Sequence, residues 1–191
     1  MDEHIYLNEQ AYAHQLKTAE NRFAPLPLMD ELKLKAKEAG LWNLFVPEEH
    51  AEYCDHGGLS FFDYAPLAEI MGRVIWCPEV FNCNAPDTGN MEVFMNYATE
   101  AQQREWLDPL LAGDIRSSYA MTEPQVASSD ATNVELRIEK DGNEWILNGH
   151  KWFITNAMYE RTKILIVMGK SDPQNPSRHL QQSQILVPKD T

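Results

Sequence analysis

The chain has 191 residues, of which 43% are hydrophobic and 24% charged, a balance typical of a folded globular protein. Its 29 acidic and 16 basic residues give a net charge of −13, which argues against a nucleic-acid-binding protein that relies on a basic patch. We expect no membrane span, because no apolar run approaches the ~20 residues that a membrane helix needs. The charged N-terminus lacks the apolar core of a signal peptide, and the three cysteines form no C-x-x-C pair. We therefore expect a cytoplasmic protein without a metal site, with targeting to an organelle as the open alternative.

The first part of the chain has helical periodicity. Apolar residues at three-to-four spacing predict helices over 5–16 and 27–39, and Gly40 is placed to end the second one. Ser60 is the expected N-cap of a helix that runs to about Val74. The positions that this helix is expected to bury are Phe61, Tyr64, Leu67, Ala68 and Met71.

Two more helices are predicted before the pattern changes. One runs from about Thr88 to Tyr97. The other begins at Thr99, which has capping-box spacing to Gln102, and ends at Gly113. Residues 1–114 are therefore predicted to form an all-α helical domain.

After Asp114 the pattern becomes that of β-strands, with apolar and polar residues alternating. The predicted features are an alternating strand at 133–139, hairpin turns at Asp141-Gly142 and Asn148-Gly149, a strand at 151–155, and apolar strands at 163–169 and 184–187. The chain is thus predicted to be α+β, with the opening strands of a β domain at 115–191.

Residues 117–133 contain an apolar strand that breaks at Pro124 into a loop of small hydroxyl residues. Ser128, Ser129 and Thr132 offer short hydroxyls and backbone N–H groups, which suit a phosphate or another oxyanion. A serine-rich turn that hydrogen-bonds only to itself is the alternative interpretation.

Residues 148–155 place an aromatic side chain two positions before a threonine. Along a strand, Phe153 and Thr155 would point to one face, and Trp152 and Ile154 to the other. A flat wall beside a hydrogen-bonding group suits a planar ring system with heteroatoms on its edge. A core aromatic in a hairpin is the alternative.

Together these two segments resemble the acyl-CoA dehydrogenase family. The family signature A-M-T-E-P-x-A-G-S-D is similar to A-M-T-E-P-Q-V-A-S-S-D at 120–130, and the family's N-G-x-K-x-W-I-T motif is similar to 148–155. The upstream segments 40–50, 65–74 and 98–115 are also similar to the family, so the resemblance covers essentially the whole chain. The signature loop is one residue longer than the common form and resembles the branch that in animals is fused to a kinase-like domain.

The resemblance implies a FAD-dependent acyl-CoA dehydrogenase of fatty acid metabolism, which forms a double bond between the α and β carbons of an acyl-CoA thioester and transfers hydride to the flavin. It implies that the second domain is an incomplete antiparallel β-barrel and that the family's C-terminal helical bundle is absent from these 191 residues. The implied partners are the acyl-CoA substrate, an electron-transferring flavoprotein or similar acceptor, and identical subunits in a homodimer or homotetramer.

Carried over by position, the resemblance assigns two sets of ligand-binding residues. The FAD set is Tyr119, Met121, Thr122, Ser128, Ser129, Phe153, Ile154 and Thr155. The substrate set is Ser129, Phe81, Asn84 and Ala85, of which the last three align with the wall of the acyl cavity. Ser128 and Ser129 are alternative candidates for the phosphate contact, because the longer loop shifts the alignment by one residue.

The family's catalytic base is a glutamate of its C-terminal domain, so no catalytic residue is assigned in this chain. Glu123 adjoins Thr122, but the matching glutamate of the family supports the loop, and we expect Glu123 to be ionised and structural. Without the base, the 191 residues alone are expected not to dehydrogenate acyl-CoAs. Two other functions stay open: an acyl-CoA oxidase-like flavoenzyme, and a catalytically inactive fragment that acts as a binding or interaction module.

Overall fold

A computed structural model describes all 191 residues, which form two compact units. The first unit is Met1–Ile115 with Tyr159–Arg161, and the second is Arg116–Met158 with Thr162–Thr191. The first is helical and the second is built on a five-stranded sheet, which confirms the predicted α+β class. Neither unit has a helix that is long and apolar enough to cross a membrane.

Short helices joined by turns make up the first unit. They are α1 (Glu9–Thr18), α2 (Pro27–Glu38), α3 (Phe61–Met71), α4 (Cys77–Val80), α5 (Asp87–Tyr97), α6 (Glu100–Gln102) and α7 (Asp108–Ala112). Short 3-10 segments lie at Tyr6–Asn8 and Glu48–Tyr53, and a π-helical turn at Gln103–Leu107 joins α6 to α7. The largest side chains buried in this unit include Ile5, Leu32, Val46, Met91, Phe94, Leu107 and Leu110.

The predicted helix N-caps are confirmed. The backbone N–H of Asp63 donates to Ser60 Oγ at 3.2 Å, which caps the start of α3. Thr99 and Gln102 form both hydrogen bonds of a capping box at the start of α6. These side chains satisfy N–H groups that have no partner inside the first helical turn.

Glycine ends two of the predicted helices in the left-handed conformation. Gly40 follows α2 with φ +68°, and Gly113 follows α7 with φ +76°. At Gly113 a Cβ atom would lie 2.6 Å from the ring of Trp42, so both the backbone and the neighbouring side chain require glycine.

Two helical predictions need correction, and one short helix was missed. The first helix begins at Glu9 rather than at residue 5, because a 3-10 turn precedes it. Helix α3 ends at Met71 rather than near Val74. Phe61 is 74% exposed rather than buried, because the apolar residues of α3 are distributed around the whole helix and their spacing does not single out one face. Helix α4 was not predicted, because four residues are too few to show a period.

The second unit is a mixed sheet centred on its fourth strand. The strands are β1 (Arg116–Ala120), β2 (Arg137–Asp141), β3 (Glu144–Asn148), β4 (Thr162–Lys170) and β5 (Gln182–Pro188). β5 pairs antiparallel with one edge of β4, while β1 pairs parallel with the other edge. β2 meets β4 only where Arg137 pairs with Lys170, and it forms an antiparallel hairpin with β3. The sheet is thus mixed rather than wholly antiparallel, because the long connection from β1 to β4 allows a parallel pair.

The strand predictions at 163–169 and 184–187 are confirmed by β4 and β5. The strand predicted at 133–139 begins only at Arg137, although Val134, Leu136 and Ile138 are all buried as the alternation implies. The strand predicted at 151–155 is wrong, since these residues are irregular. The buried core cluster of this unit lies on the sheet and consists of Ala120, Leu136, Ile138 and Val167.

Candidate functional site

The loop that follows β1 is held by the carboxylate of Glu123, which is a buried residue. Its Oε2 accepts the backbone N–H of Glu135 at 2.6 Å, and its Oε1 accepts that of Leu136 at 2.9 Å. Oε1 also accepts a hydrogen bond from the ammonium of Lys151 at 2.8 Å. One side chain therefore joins the loop after β1, the residues before β2 and the segment after β3.

Burial alone would raise the pKa of the Glu123 carboxyl group. The hydrogen bonds from Lys151 and from the backbone N–H groups of Leu136 and Glu135 outweigh burial and hold this pKa below its usual range. A carboxylate that is occupied by three donors is not free to take a proton from a substrate. The predicted structural role of Glu123 is confirmed.

The same lysine ties together the two motifs that the sequence singles out. Lys151 Nζ donates to the carbonyl of Met121 at 2.7 Å, across 30 positions of the chain. The N–H of Trp152 donates to the carbonyl of Thr122 at 3.1 Å. The bend at Thr122 and the segment after β3 therefore lie side by side, as predicted.

Next to this pairing the chain exposes two aromatic rings. Phe153 is 85% exposed and Trp152 is 42% exposed, with their ring centroids 4.7 Å apart. Thr122 and Thr155 are also exposed, and their hydroxyls make no hydrogen bond within the chain. This surface offers flat apolar area together with free hydrogen-bonding groups.

The predicted alternation of side chains along residues 151–155 is wrong. The N–H of Trp152 is bonded to a loop carbonyl rather than to a strand, and Phe153 has a left-handed φ of +49°. As a result Trp152 and Phe153 are both exposed, while Ile154 packs against the core cluster of the sheet. The side chain of Ile154 is therefore occupied by packing.

The two serines of the signature loop, Ser128 and Ser129, have different surroundings. Ser128 is buried, and its Oγ accepts the N–H of Glu123 at 2.7 Å and donates to the carbonyl of Val126 at 3.3 Å. Thr132 donates to Asp130 at 2.8 Å and so also bonds within the loop. Ser129 is exposed, and its hydroxyl has no partner in the chain. Ser128 therefore fits the alternative interpretation, a turn that hydrogen-bonds to itself, whereas the hydroxyl of Ser129 is available to a ligand.

The remaining FAD candidates lie on or just after β1. Tyr119 is half-buried, and its hydroxyl accepts a hydrogen bond from Gln184 Nε2 at 2.9 Å. Burial raises the pKa of this phenol, which therefore stays protonated at neutral pH. The carbonyl of Met121 is already taken by Lys151.

The other substrate candidates belong to the helical unit. Phe81, Asn84 and Ala85 lie on the connection from α4 to α5. The Oδ1 atom of Asn84 is buried without a hydrogen-bond partner, and its Nδ2 lies 3.4 Å from the carboxylate of Asp87. The proposed ligand-binding residues are therefore divided between the two units.

Two polar residues of the site were missed in the sequence. Lys151 was noted only as a letter of the hairpin motif, and its contacts with the Met121 carbonyl and the Glu123 carboxylate were not predicted. Its place in that motif is the one sequence signal for this role. Arg178, in the connection from β4 to β5, donates to Thr132 Oγ1 at 2.8 Å. Nothing in the local sequence indicates that contact, because it joins positions 46 residues apart.

Two family profiles match the chain. The N-terminal domain of acyl-CoA dehydrogenase matches residues 6–114, and the middle domain of acyl-CoA dehydrogenase matches residues 118–191. A solved structure of an acyl-CoA dehydrogenase homologue from Mycobacterium abscessus has a TM-score of 0.90 and 47% identity, and covers 100% of this chain and 47% of that one. A glutaryl-CoA dehydrogenase from Mycobacterium smegmatis, solved in complex with FADH2, has a TM-score of 0.62 and at 22% identity shows the fold alone.

The relatives are similar along the whole chain but are longer. Acyl-CoA dehydrogenase family member 10 of Mus musculus is 48% identical over 100% of this chain, which spans 18% of that protein. FadE2 of Mycobacterium tuberculosis, named as a probable acyl-CoA dehydrogenase, is 48% identical, and the chain spans 46% of it. Family member 11 of Gallus gallus is 47% identical, and the similarity to the animal branch is confirmed. The chain belongs to the acyl-CoA dehydrogenase family.

Proposed function

We propose that the chain forms part of an FAD-dependent acyl-CoA dehydrogenase and supplies half of the surface that binds the flavin. The single observation that carries this proposal is the pairing of Thr122 with Trp152, which sets the exposed ring of Phe153 beside the signature loop. Bound FAD would supply the two-electron acceptor for the oxidation of a CH–CH bond. Family membership and the FADH2 of a protein with the same fold support this choice of cofactor.

The residues present fit a flavin. An exposed phenylalanine costs free energy in water and gains it when a planar ring covers it, and burying such a side chain is worth about 1.5–3 kcal/mol. Thr122 and Thr155 have free hydroxyls, which can bond to heteroatoms on the edge of a ring. Ser129 has a free hydroxyl in a loop of small residues, and we assign it to a phosphate or to the pantetheine arm of the substrate.

In this proposal the residues of the chain bind and orient, and none of them moves the substrate proton. Glu123 and Lys151 hold the signature loop in place, and Ser128 holds the loop from within. Phe81, Asn84 and Ala85 are proposed to line the acyl group. The α-proton would be removed by a base outside these residues.

The complete protein is proposed to act on an acyl-CoA and to pass electrons to an electron-transferring flavoprotein or a similar acceptor. It is proposed to be a homodimer or homotetramer, because the family completes its FAD site from a neighbouring subunit. These assignments rest on the family.

Titration of the purified chain with FAD tests the proposal. We expect saturable binding, seen as a change in flavin fluorescence, or a yellow protein that retains flavin absorbance after purification. A colourless protein that does not bind FAD and associates with itself would instead support the inactive interaction fragment. In the complete enzyme, the rate at which air reoxidises the reduced flavin separates a dehydrogenase from an oxidase.

A further inference from the structure

The helical unit contains a cavity of about 530 Å³ that the proposed function does not use. It is lined by residues of the 3-10 segment Glu48–Tyr53 and of the turn that follows, together with residues from the ends of α2 and α7. Its volume is within the range of ~300–1,000 Å³ that small-molecule sites occupy. Cys54 and His56 both line it.

These two side chains have the geometry of a nucleophile and a base. Cys54 Sγ lies 3.8 Å from His56 Nδ1, and the other ring nitrogen of His56 lies 3.1 Å from the carbonyl oxygen of Asn43. A carbonyl can only accept, so the proton of the neutral ring is on Nε2, and Nδ1 presents its lone pair to the sulfur. A base that is oriented by a third group, next to a thiol, is the arrangement that activates nucleophiles in enzymes.

The turn also supplies a donor to the sulfur. The backbone N–H of Gly58 donates to Cys54 Sγ at 3.2 Å, so the sulfur has a backbone donor as well as the neighbouring imidazole. Gly58 has φ +79°, and a Cβ atom there would lie 2.6 Å from the backbone of Glu48, so the turn requires glycine. The carbonyl of Ala51, 3.7 Å from Sγ, is the other acceptor that the thiol proton can reach.

The other two cysteines are in surroundings that disfavour reaction of the thiol. Cys77 and Cys83 are both buried, and burial raises the pKa of each thiol to about 11. Neither forms an appreciable thiolate at neutral pH. Among the three, only Cys54 combines access to a cavity with a neighbouring base.

The charges around the cavity restrict what can enter it. Three carboxylates line it, those of Glu52, Asp55 and Asp108, against one ammonium, that of Lys37. Lys37 is itself engaged, because its Nζ donates to the carbonyl of Ala112 at 2.6 Å. The net negative field disfavours anionic compounds relative to neutral ones.

We propose that Cys54 and His56 form a covalent modification site that takes neutral α,β-unsaturated carbonyl compounds. The thiol proton moves to His56 Nδ1, and the sulfur electron pair forms a bond to the β carbon of the ligand. The carbon–carbon π bond opens onto the α carbon, which then receives the proton from His56. No oxidant or reductant is needed, and the product is a thioether.

Labelling of the full chain with N-ethylmaleimide, which is a neutral member of this class, tests the proposal. Peptide mass spectrometry is expected to place the first adduct on Cys54, ahead of Cys77 and Cys83. The rate is expected to exceed that of a cysteine in a short unstructured peptide at the same pH by about tenfold. First labelling at either buried cysteine, or a rate no higher than that of the peptide cysteine, would overturn the proposal.

Two comparisons of the labelling rate test the base His56 and the charges around the cavity separately. His56→Asn keeps a polar group near the sulfur but cannot act as a base, and is expected to slow the labelling about tenfold, whereas Cys77→Ser is expected to leave the rate at Cys54 unchanged. A maleimide that carries a carboxylate should react more slowly than N-ethylmaleimide on the unaltered chain, by about fivefold beyond their ratio with 2-mercaptoethanol. This second comparison needs no variant, so the role of the charges can be tested even if His56→Asn fails to fold. Equal rates for both maleimides would refute the proposed role of the charges.

Discussion

Lys151 Nζ lies 2.8 Å from Glu123 Oε1 and 2.7 Å from the carbonyl oxygen of Met121. One ammonium thus contacts both a carboxylate and the backbone of the loop that carries the proposed flavin-facing residues. Both side chains of the pair are buried, with 10% exposure for Lys151 and 2% for Glu123. This pair adds a buried charge interaction to the hydrogen bonds that hold the signature loop.

We expect Glu123→Gln to destabilise the sheet unit by about 3 kcal/mol, because it leaves the buried ammonium of Lys151 without a counter-charge. Urea unfolding followed by circular dichroism measures the loss. Glu139→Gln is the matched control, since that carboxylate pairs with Arg137 at 3.3 Å but is 61% exposed, and its loss should cost at most about 0.5 kcal/mol. Equal unfolding midpoints for the two variants would contradict the account.

The same carboxylate gives a pH dependence whose sign follows from its pKa. The pKa of Glu123 is lower in the folded chain than its ordinary value, so its contribution is present above the unfolded pKa, about 4.3, and is lost as the pH falls through the folded pKa. The difference in unfolding free energy between the unaltered chain and Glu123→Gln should be constant from about pH 6 to 8 and shrink in acid. A difference that grows below about pH 4 would show that the sign is wrong.

Replacement by alanine is expected to lower the stability of the chain at Gly113 and to raise it at Gly89. Gly113→Ala places a Cβ atom 2.6 Å from Trp42 at a left-handed φ of +76°, and should cost about 1–3 kcal/mol. Gly89 lies inside α5 with nothing within 4 Å of its built Cβ, so Gly89→Ala should stabilise the chain by about 0.5–1 kcal/mol. Thermal unfolding of both variants measures the signs, and a stabilised Gly113→Ala would disprove the packing argument.

Local signals predicted the features that depend on neighbouring residues. The N-caps at Ser60 and Thr99 are short-range hydrogen bonds, and the left-handed glycines follow their helices directly, so each is visible in a few letters of sequence. The π-helical turn was not visible in this way. It ends at Leu107, two residues before Pro109, which has no N–H to donate back to the carbonyl of Glu105 in a regular helix.

The contact between the two motifs was predictable, but the local shape of the second motif was not. Residues 151–155 alternate like a strand, but their backbone bonds to a loop 30 positions earlier, and no local pattern encodes that choice. The difference between Ser128 and Ser129 was also hidden. It depends on the N–H of Glu123, which only the folded loop brings to Ser128 Oγ.

The central claim is that the exposed ring of Phe153 is part of a flavin-binding surface, and an FAD titration of two matched variants tests it most directly. Trp145 is a comparable control, because it is 51% exposed on β3 but lies at the hairpin end of that strand. We expect Phe153→Ala to raise the dissociation constant for FAD about tenfold and Trp145→Ala to leave it unchanged. Equal affinity of both variants, or no binding of FAD by the unaltered chain, would contradict the account.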